Sequence, residues 1–324
     1  MSDFFPLEIV ENILLRSPEK TVARFRCVSK SWDTLISDPI FINKHVEYRL
    51  LIRSTRIYTL DYEVHKDAVI NPPFQTSEYH HIDILGACNG LLCIALNFDI
   101  LYIWNPSTGE YRCLRKPLLP YTSSYIQGTG LGYIATSDDY ELVHFVSNEV
   151  KVYSLRKESW ERTIRGVGYN ITKEATSGIF VQGALHWKTI QSIEENHHLK
   201  VVIAYDMVDK KFREVSQPHY DAGYYHTLVS VLDGFLCMFC RYEHHTVAWV
   251  MKDYGMKESW TKLYSVEEPR KFSPLHLPEK LGSYIIHEPH GDLLVLYNPT
   301  DRSLQTFAIK DCIPKCLFKK IKRV

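Results

Sequence analysis

The sequence lacks an excess of charge of either sign, because 38 Lys and Arg residues balance 38 Asp and Glu residues in a chain of 324. A chain with no net charge lacks the general positive field on which nucleic-acid binding depends. The sequence also contains no apolar run of about 18 residues, and no basic cluster follows Met1. We therefore expect no membrane-spanning helix and no signal peptide, and we expect a cytoplasmic or nuclear protein that binds neither nucleic acid nor membrane.

Motifs of common enzymes and metal sites are also missing. There is no Gly-x-Ser-x-Gly and no His-x-x-x-His on a helical pattern. The paired histidines, His80-His81, His197-His198 and His244-His245, are neighbours in sequence, and neighbours on a strand point to opposite faces. Cys237 and Cys240 lie three apart and are placed on opposite faces for the same reason. We predict no metal, no cofactor and no catalytic residue, although 15 histidines leave a triad open as an alternative.

Gly128-x-Gly130-x-Gly132 has the look of a phosphate-binding loop. A strand pattern rather than a helix follows it, so no helix N-terminus is available to hold a phosphate. We predict a glycine-rich turn that enters a strand. The eight cysteines are scattered, and we expect free thiols.

Residues 1–45 have a helical pattern. Three short helices are predicted: one that Pro18 ends, one over Val22 to Val28, and one that begins after a cap at Ser29 and carries Trp32. Helices this short bury little apolar surface by themselves. They form either a cap on the following domain or a partner-binding module.

From residue 46 onward the pattern changes to short strands in a repeat. A polar residue after a strand is followed six positions later by a bulky apolar one, as in the pairs Asn105 and Tyr111, Ser154 and Trp160, Asp206 and Phe212, and Asn298 and Leu304. With Trp260 included, successive bulky residues lie 49, 52, 48 and 44 positions apart. A period near fifty with about four strands a unit is typical of β-propeller blades of kelch-like length.

The number of blades follows from the repeat and its flanks. Tyr48 to Ile52 and Arg56 to Asp61 read as part of a further blade, which gives six. We expect Ile313 to Phe318 to complete that blade and to close the ring. Seven blades require an unrecognised unit within residues 65–85, and a β-sandwich does not explain the period.

The N-terminal residues resemble the F-box of a large plant class. The resemblance is carried by Phe5 to Val10, Ile13 to Arg16 with Pro18, Arg24 to Trp32, and Leu35 to Phe41. It implies binding to a Skp-type adaptor and, through it, to a cullin and a RING subunit. The adaptor-contact candidates are Phe5, Pro6, Ile9, Val10, Ile13, Leu14 and Pro18, whereas Trp32 is expected in the core. Phe5 replaces the usual aliphatic residue, and Ser17 stands where Leu commonly precedes the Pro.

The repeats resemble the F-box-associated domain of plant F-box and kelch-repeat proteins. The carrying segments include Cys88 to Leu92, Trp104 to Thr108, Gly183 to Trp187, and Trp249 to Gly255. The resemblance implies a mainly β chain with a three-helix F-box over 1–45 and a propeller over 46–324. It also implies a non-catalytic substrate receptor of a Skp-cullin-F-box ubiquitin ligase, with the target protein held by the propeller.

Propeller topology indicates which loops hold the target. Connections between blades and loops between second and third strands emerge on one face. The segments expected there are Pro117 to Gly128, Gly168-Tyr169, Ser192 to His198, Ser216 to His226, and Glu243 to His245. Their target-binding candidates are Tyr121, Tyr125, Tyr220, Tyr224, Tyr225 and His244, since tyrosines suit protein contacts. Packing within the loops is the alternative role for each.

Two other functions stay open at this point. The helices of a ligase-independent scaffold would merely dock on the propeller. A pollen self-incompatibility receptor is a narrower possibility within the same family.

Overall fold

The computed structural model describes residues 6–15, 17, 19–38, 41, 48–53, 57–61, 66–74, 82–97, 100–106, 108–114, 127–146, 149–165, 169–171, 177–194, 197–220, 223–224, 226–232, 234–267, 273–275, 284–287, 293–297, 301, 303–308 and 318–322. The chain divides into two compact units. The first comprises Met1–Tyr48 with Lys322–Val324, and the second comprises Arg49–Ile321.

The first unit contains three helices: α1 (Leu7–Leu15), α2 (Glu19–Phe25) and α3 (Lys30–Ser37). Ser29 caps α3 as predicted, because its hydroxyl accepts a hydrogen bond from the Trp32 amide at 3.2 Å. The second helix ends three residues earlier than predicted, since Cys27 and Val28 close a turn by donating to carbonyls of Arg24 and Phe25. The buried core consists of Val10, Leu14, Val22, Ile36 and Phe41.

In the residues that the structure describes, the second unit forms six sheets of mostly antiparallel neighbouring strands. Sheet 1 holds β1 (Tyr48–Arg53), β2 (Ile57–Asp61), β3 (Lys66–Ile70) and the last strand, β25 (Phe318–Lys322). Sheet 2 holds β4 (Ile82–Cys88), β5 (Leu91–Leu96), β6 (Ile100–Trp104) and β7 (Tyr111–Leu114). Sheet 3 holds β8 (Gln127–Ile134), β9 (Asp139–Val146), β10 (Glu149–Ser154) and β11 (Ser159–Arg165).

The remaining three sheets follow in chain order. Sheet 4 has five strands: β12 (Tyr169–Ile171), β13 (Ile179–Val181), β14 (Ala184–Glu194), β15 (His197–Asp206) and β16 (Phe212–Val215). Sheet 5 holds β17 (His226–Leu232), β18 (Phe235–Arg241), β19 (His245–Met251) and β20 (Trp260–Glu267). Sheet 6 holds β21 (Ser273–Leu275), β22 (Tyr284–His287), β23 (Leu293–Tyr297) and β24 (Leu304–Ala308).

Neighbouring sheets contact each other through their first strands. In the described chain β4 contacts β8, β8 contacts β13, and β13 contacts β17. Repeated four-stranded sheets that meet in this way are the architecture of a propeller, so the predicted fold class is confirmed. Six sheets equal the predicted number of blades, and the blade count of a closed ring stays a prediction.

Sheet 1 joins the two ends of the propeller unit. Its strand order is β25, β1, β2, β3, so a strand from the far end of the chain lies beside β1. The predicted exchange of a C-terminal strand is therefore observed. The strand begins at Phe318, where the predicted segment Ile313 to Phe318 ends. The hydrophobic pattern does not specify the register in this stretch, because Lys319 and Lys320 are adjacent and interrupt the period-two alternation of a strand.

The sequence repeat arises from the turn between the third and fourth strand of a sheet. Asp206 ends β15, and its carboxylate accepts hydrogen bonds from the amides of Val208 and Asp209, both at 2.9 Å. The Asn105 side chain accepts in the same way from the Thr108 amide at 3.3 Å. A polar side chain at this position thus satisfies the turn backbone, and the bulky residue of the repeat lies at the start of the next strand.

The three glycines of Gly128-x-Gly130-x-Gly132 lie within β8 and not in a turn. A Cβ atom at position 130 would lie 2.8 Å from side-chain atoms of Leu185 and Trp187. The prediction of a glycine-rich turn was therefore wrong, because the glycines permit sheets 3 and 4 to approach closely.

Adjacent residues of β14 hold sheet 4 to both of its neighbours. Trp187 packs edge to face on Phe145 of sheet 3, with ring centroids 5.1 Å apart. The other face of β14 carries His186, which lies at 2.8 Å from the Tyr254 hydroxyl of sheet 5. The period-two alternation of a strand thus sends two successive side chains to two different sheets.

The His186 ring is neutral in the folded chain. Its Nδ1 lies 3.2 Å from the Ile179 carbonyl, which only accepts, so Nδ1 donates and Nε2 accepts from Tyr254. The Arg213 guanidinium donates to the Tyr254 hydroxyl oxygen at 3.2 Å and lies over the Tyr254 ring. Burial lowers the pKa of His186 to about 4, because the charged form loses its hydration.

Removal of β25 should destabilise the propeller unit. A chain truncated before Phe318 leaves the backbone groups on one side of β1 without partners. We expect its melting temperature, followed by far-ultraviolet circular dichroism, to fall by roughly 10 °C. A chain that lacks only Arg323 and Val324 is the control and should melt like the complete chain. Equal melting of the two shortened chains would show that β25 contributes no stability.

Acid should destabilise the fold through His186. The unfolded chain binds a proton at this residue near pH 6.5, whereas the folded chain does so only near pH 4. The free energy of unfolding is therefore unaffected by His186 at a pH above its pKa in the unfolded chain. It decreases as the pH falls from that value towards the pKa of His186 in the folded chain. From pH ~7.5 to pH ~5 this loss is about 2 kcal/mol.

The measurement is urea unfolding of the wild type, His186→Gln and His244→Gln at both pH values. The loss at low pH should shrink by about 2 kcal/mol in His186→Gln. The exposed His244 is the matched control, and its variant should keep the pH dependence of the wild type. The same pH dependence in all three proteins would refute the assignment.

Candidate interaction surfaces

Helix α1 carries two apolar stripes on different sides. Val10 and Leu14 lie one turn apart and are 5% and 0% exposed in the core of the helical unit. Ile9 and Ile13 also lie one turn apart, but are 46% and 54% exposed. A core accounts for only the first stripe, so the second is available to a partner.

The structure narrows the adaptor-contact candidates. Pro6, Ile9 and Ile13 are exposed, whereas Val10 and Leu14 are enclosed by α2 and α3 side chains and offer no surface. The assignment of Val10 and Leu14 to the contact is revised for this reason. Phe5 and Pro18 lie outside the described residues. Trp32 packs edge to face on Phe25 at the edge of the core, with centroids 5.4 Å apart.

The end of α1 is tied by a serine side chain. The Ser17 hydroxyl donates to the Ile13 carbonyl at 2.9 Å, and the Ser17 amide donates to the Leu14 carbonyl at 3.0 Å. The hydroxyl thus satisfies a backbone group that the helix leaves open at its C-terminus. The hydroxyl that stands in place of the usual Leu side chain is therefore hydrogen-bonded within the chain.

In the propeller unit, two of the predicted target loops lie at the same end of sheet 5. We call it the connection face, defined as the end at which the first strand of a sheet begins. In sheet 5, His226 pairs with Arg241, and Arg241 pairs with Thr246. The connection into β17 and the turn between β18 and β19 therefore emerge together, as predicted.

A pair of tyrosines lies at the connection face before β17. The rings of Tyr220 and Tyr224 meet at an angle of 76° with centroids 4.6 Å apart. Tyr220 donates to the Gln217 side chain at 2.8 Å, and the Gln217 amide donates to the Lys200 carbonyl at 3.0 Å. The Lys200 ammonium lies 5.8 Å from the centre of the Tyr224 ring. Two of the predicted candidates are thus held together by residues that were not predicted.

The two tyrosines differ in their surroundings. Tyr220 packs against the core of sheet 5, and burial followed by its hydrogen bond with Tyr224 raises its pKa. The nearby Tyr242 phenol adds to that rise. Tyr220 therefore supports the surface, and Tyr224 presents its ring beside a cation.

The turn between β18 and β19 adds a second aromatic pair. Tyr242 stacks on His245 with the rings 7° from parallel and 4.5 Å apart, and its amide donates to the His245 carbonyl at 2.8 Å. His244 lies at the tip of the turn with an 81% exposed side chain. Sequence reasoning selected His244 and missed Tyr242, although an aromatic residue beside a predicted turn is a usable signal.

Other predicted positions differ or lie outside the described chain. Tyr121, Tyr125 and Tyr225 are outside it. The expected loop from Ser192 to His198 is mostly strand, because β14 extends to Glu194 and β15 begins at His197. Tyr169 begins β12 and donates to Glu214 at 3.2 Å, which ties it to the sheet.

The described cysteines and histidines do not form a metal site, and two of the buried cysteines have raised pKa values. Cys237 and Cys240 are both buried and face different sides of β18, as predicted. Burial raises the pKa of Cys88 and of Cys240 to about 12, so both stay as thiols. Within the same residues no group of three or more His, Cys, Asp or Glu side chains is arranged to hold a metal ion. None of the helices that the structure describes has the length and apolarity to cross a membrane.

The chain carries an exposed apolar helical stripe and an aromatic loop surface in two compact units, and such surfaces are typical of the class of proteins that bind other proteins. Family comparison agrees with this class. The family described as "F-box domain" matches residues 4–44, and the family described as "F-box associated beta propeller domain" matches residues 48–322. The chain belongs to the F-box proteins that carry an F-box-associated β-propeller.

Two relatives align with this chain over most of their own length. An F-box/kelch-repeat protein of Arabidopsis thaliana is 31% identical over 98% of this chain and 93% of its own. The F-box protein CPR1 of the same plant is 28% identical over 95% of this chain and 85% of its own. A chain in the crystal structure of a nidogen/laminin complex aligns with a TM-score of 0.51 at 9% identity, covering 85% of this chain and 98% of that one. That likeness concerns the fold alone.

Proposed function

We propose that this chain is the target-binding subunit of a Skp-cullin-F-box ubiquitin ligase. F-box proteins with propeller domains serve in general as non-catalytic substrate receptors of such ligases, and the family matches support that role here. The observation that carries the proposal is the exposed pair Ile9 and Ile13 on α1, inside the F-box match. The proposal implies a site of action in the cytoplasm or the nucleus.

The exposed stripe of α1 binds the Skp-type adaptor. When a partner covers apolar side chains that are exposed in the free chain, their burial from water favours binding. Pro6 belongs to the same surface. The adaptor then links the receptor to the cullin and the RING subunit.

The connection face binds the target protein. Tyr224 and His244 present side chains at the surface, while Tyr220 and Gln217 hold the local backbone. Tyrosine offers a large amphipathic contact with little loss of side-chain entropy, which suits recognition of a protein. The chain's own role is to hold the target near the ubiquitin-transferring subunits, without a chemical step of its own.

Adaptor capture tests the first half of the proposal. The double variant Ile9→Ala with Ile13→Ala removes the exposed stripe and leaves the core residues Val10 and Leu14 in place. We expect its affinity for the adaptor, measured with purified proteins, to fall at least about tenfold. The matched control is Val208→Ala, an exposed apolar residue of the propeller, and it should bind normally. Full affinity in the folded double variant would contradict the ligase role and favour a ligase-independent scaffold.

Target capture tests the second half. The variant Tyr224→Ala with His244→Ala should retain the fold and the adaptor. The amount of the proteins that the wild type co-precipitates from proteasome-inhibited cells should decrease at least about fivefold with this variant. Tyr111→Ala is the control, since Tyr111 is exposed where β7 begins, away from the connection face. Loss of the same proteins in the control alone would place recognition on the other face of the propeller.

A further inference from the structure

Ser17 occupies a position that links the end of α1 to the exposed stripe. Its hydroxyl donates to the carbonyl of Ile13, the residue whose side chain is 54% exposed. The serine stands where the related motif commonly has Leu. The Ser17 side chain is thus bonded directly to the residue at one end of the exposed stripe.

The sequence around this serine has the form of a kinase acceptor. Ser17 is followed directly by Pro18, and a Ser-Pro dipeptide is the minimal acceptor of proline-directed protein kinases. It lies where α1 has ended and α2 has not yet begun. Helix ends open at low free energy, so Ser17 can leave its hydrogen bond and enter an enzyme that needs an extended substrate.

We propose that Ser17 is a phosphorylation site and that its phosphate blocks adaptor binding, an inference that rests on the proposed function. In the modification, the Ser17 oxygen attacks the γ-phosphorus of ATP and the bond from that phosphorus to the bridging oxygen of ADP breaks. The hydroxyl proton passes to the base of the kinase. The products are phosphoserine and ADP.

The phosphate acts first on the helix. The phosphorylated oxygen no longer donates to the Ile13 carbonyl, and a nearly dianionic group comes to lie at the helix C-terminus. That end carries the negative pole of the helix dipole and its unpaired carbonyl groups. Repulsion therefore loosens the last turn of α1, which carries Ile13.

The phosphate acts second on the contact itself. Ile9 and Ile13 favour binding only if water leaves their surface in the complex. A phosphate beside Ile13 would then be moved out of water without a partner, which is costly. Both effects oppose binding.

The chain contains its own control for the modification. Ser273-Pro274 is a second Ser-Pro dipeptide, but it lies in β21, where Ser273 pairs with His287 and Pro274 with Ile286. Because Ser273 is paired in a sheet, it is not free to enter the active site of a kinase. We therefore expect phosphorylation at Ser17 and none at Ser273, although both serines precede a proline.

The test uses the full chain, a purified proline-directed kinase, ATP and a purified Skp-type adaptor. Peptide mass mapping should find phosphate at Ser17 and not at Ser273. The phosphorylated chain and Ser17→Glu should bind the adaptor at least about tenfold more weakly than the unmodified chain. Ser17→Ala should bind within about threefold, and Ser37→Glu, on the exposed end of α3, should bind normally. Circular dichroism should show the same fold in every form.

Three results would overturn the inference. They are no phosphate at Ser17, equal adaptor affinity of the phosphorylated and unmodified chains, or a loss in Ser17→Ala as large as that in Ser17→Glu. The last result would leave the hydroxyl with a structural role only. Failure of the unmodified chain to bind the adaptor is a separate result, since it overturns the proposed function itself and with it the inference.

Discussion

An inner blade of a propeller is a sheet with two apolar faces, and it buries both because a neighbouring blade lies on each side. In this chain the constraint is most visible at β14. Trp187 reaches sheet 3, where glycine at position 130 leaves room for it, and His186 reaches sheet 5, where Tyr254 receives it. The loops of the connection face depend on this packing, because their positions are set by strands that do not shift separately.

The two proposed binding surfaces are built on different physical grounds. The proposed adaptor surface is a stripe of a helix, defined by which residues the core leaves uncovered. The proposed target surface is made of connections whose conformation is held by side chains such as Gln217. Loops tolerate sequence change better than a packed scaffold does. A change of target therefore requires fewer compensating changes than a change of adaptor.

Sequence reasoning recovered the features that repeat or that are local. The polar turn caps at Asn105 and Asp206 recur because each turn has the same backbone to satisfy, and the Ser29 cap is set within four residues. It failed where distant segments decide. The role of the glycines in β8, the start of β25 and the burial of Val10 and Leu14 depend on neighbours far along the chain. Tyr242 is a different case, since its stacking on His245 is local and its place beside a predicted turn was a signal that the sequence contained.

The pairing of β25 with β1 also governs the order in which this protein is made. Synthesis delivers β1 before sheets 2 to 6 and delivers β25 only after all of them. Throughout that interval one side of β1 has backbone groups without their final partner, and such an edge readily pairs with strands of other chains. Nascent chains are thus exposed to misassembly until β25 has emerged and paired with β1.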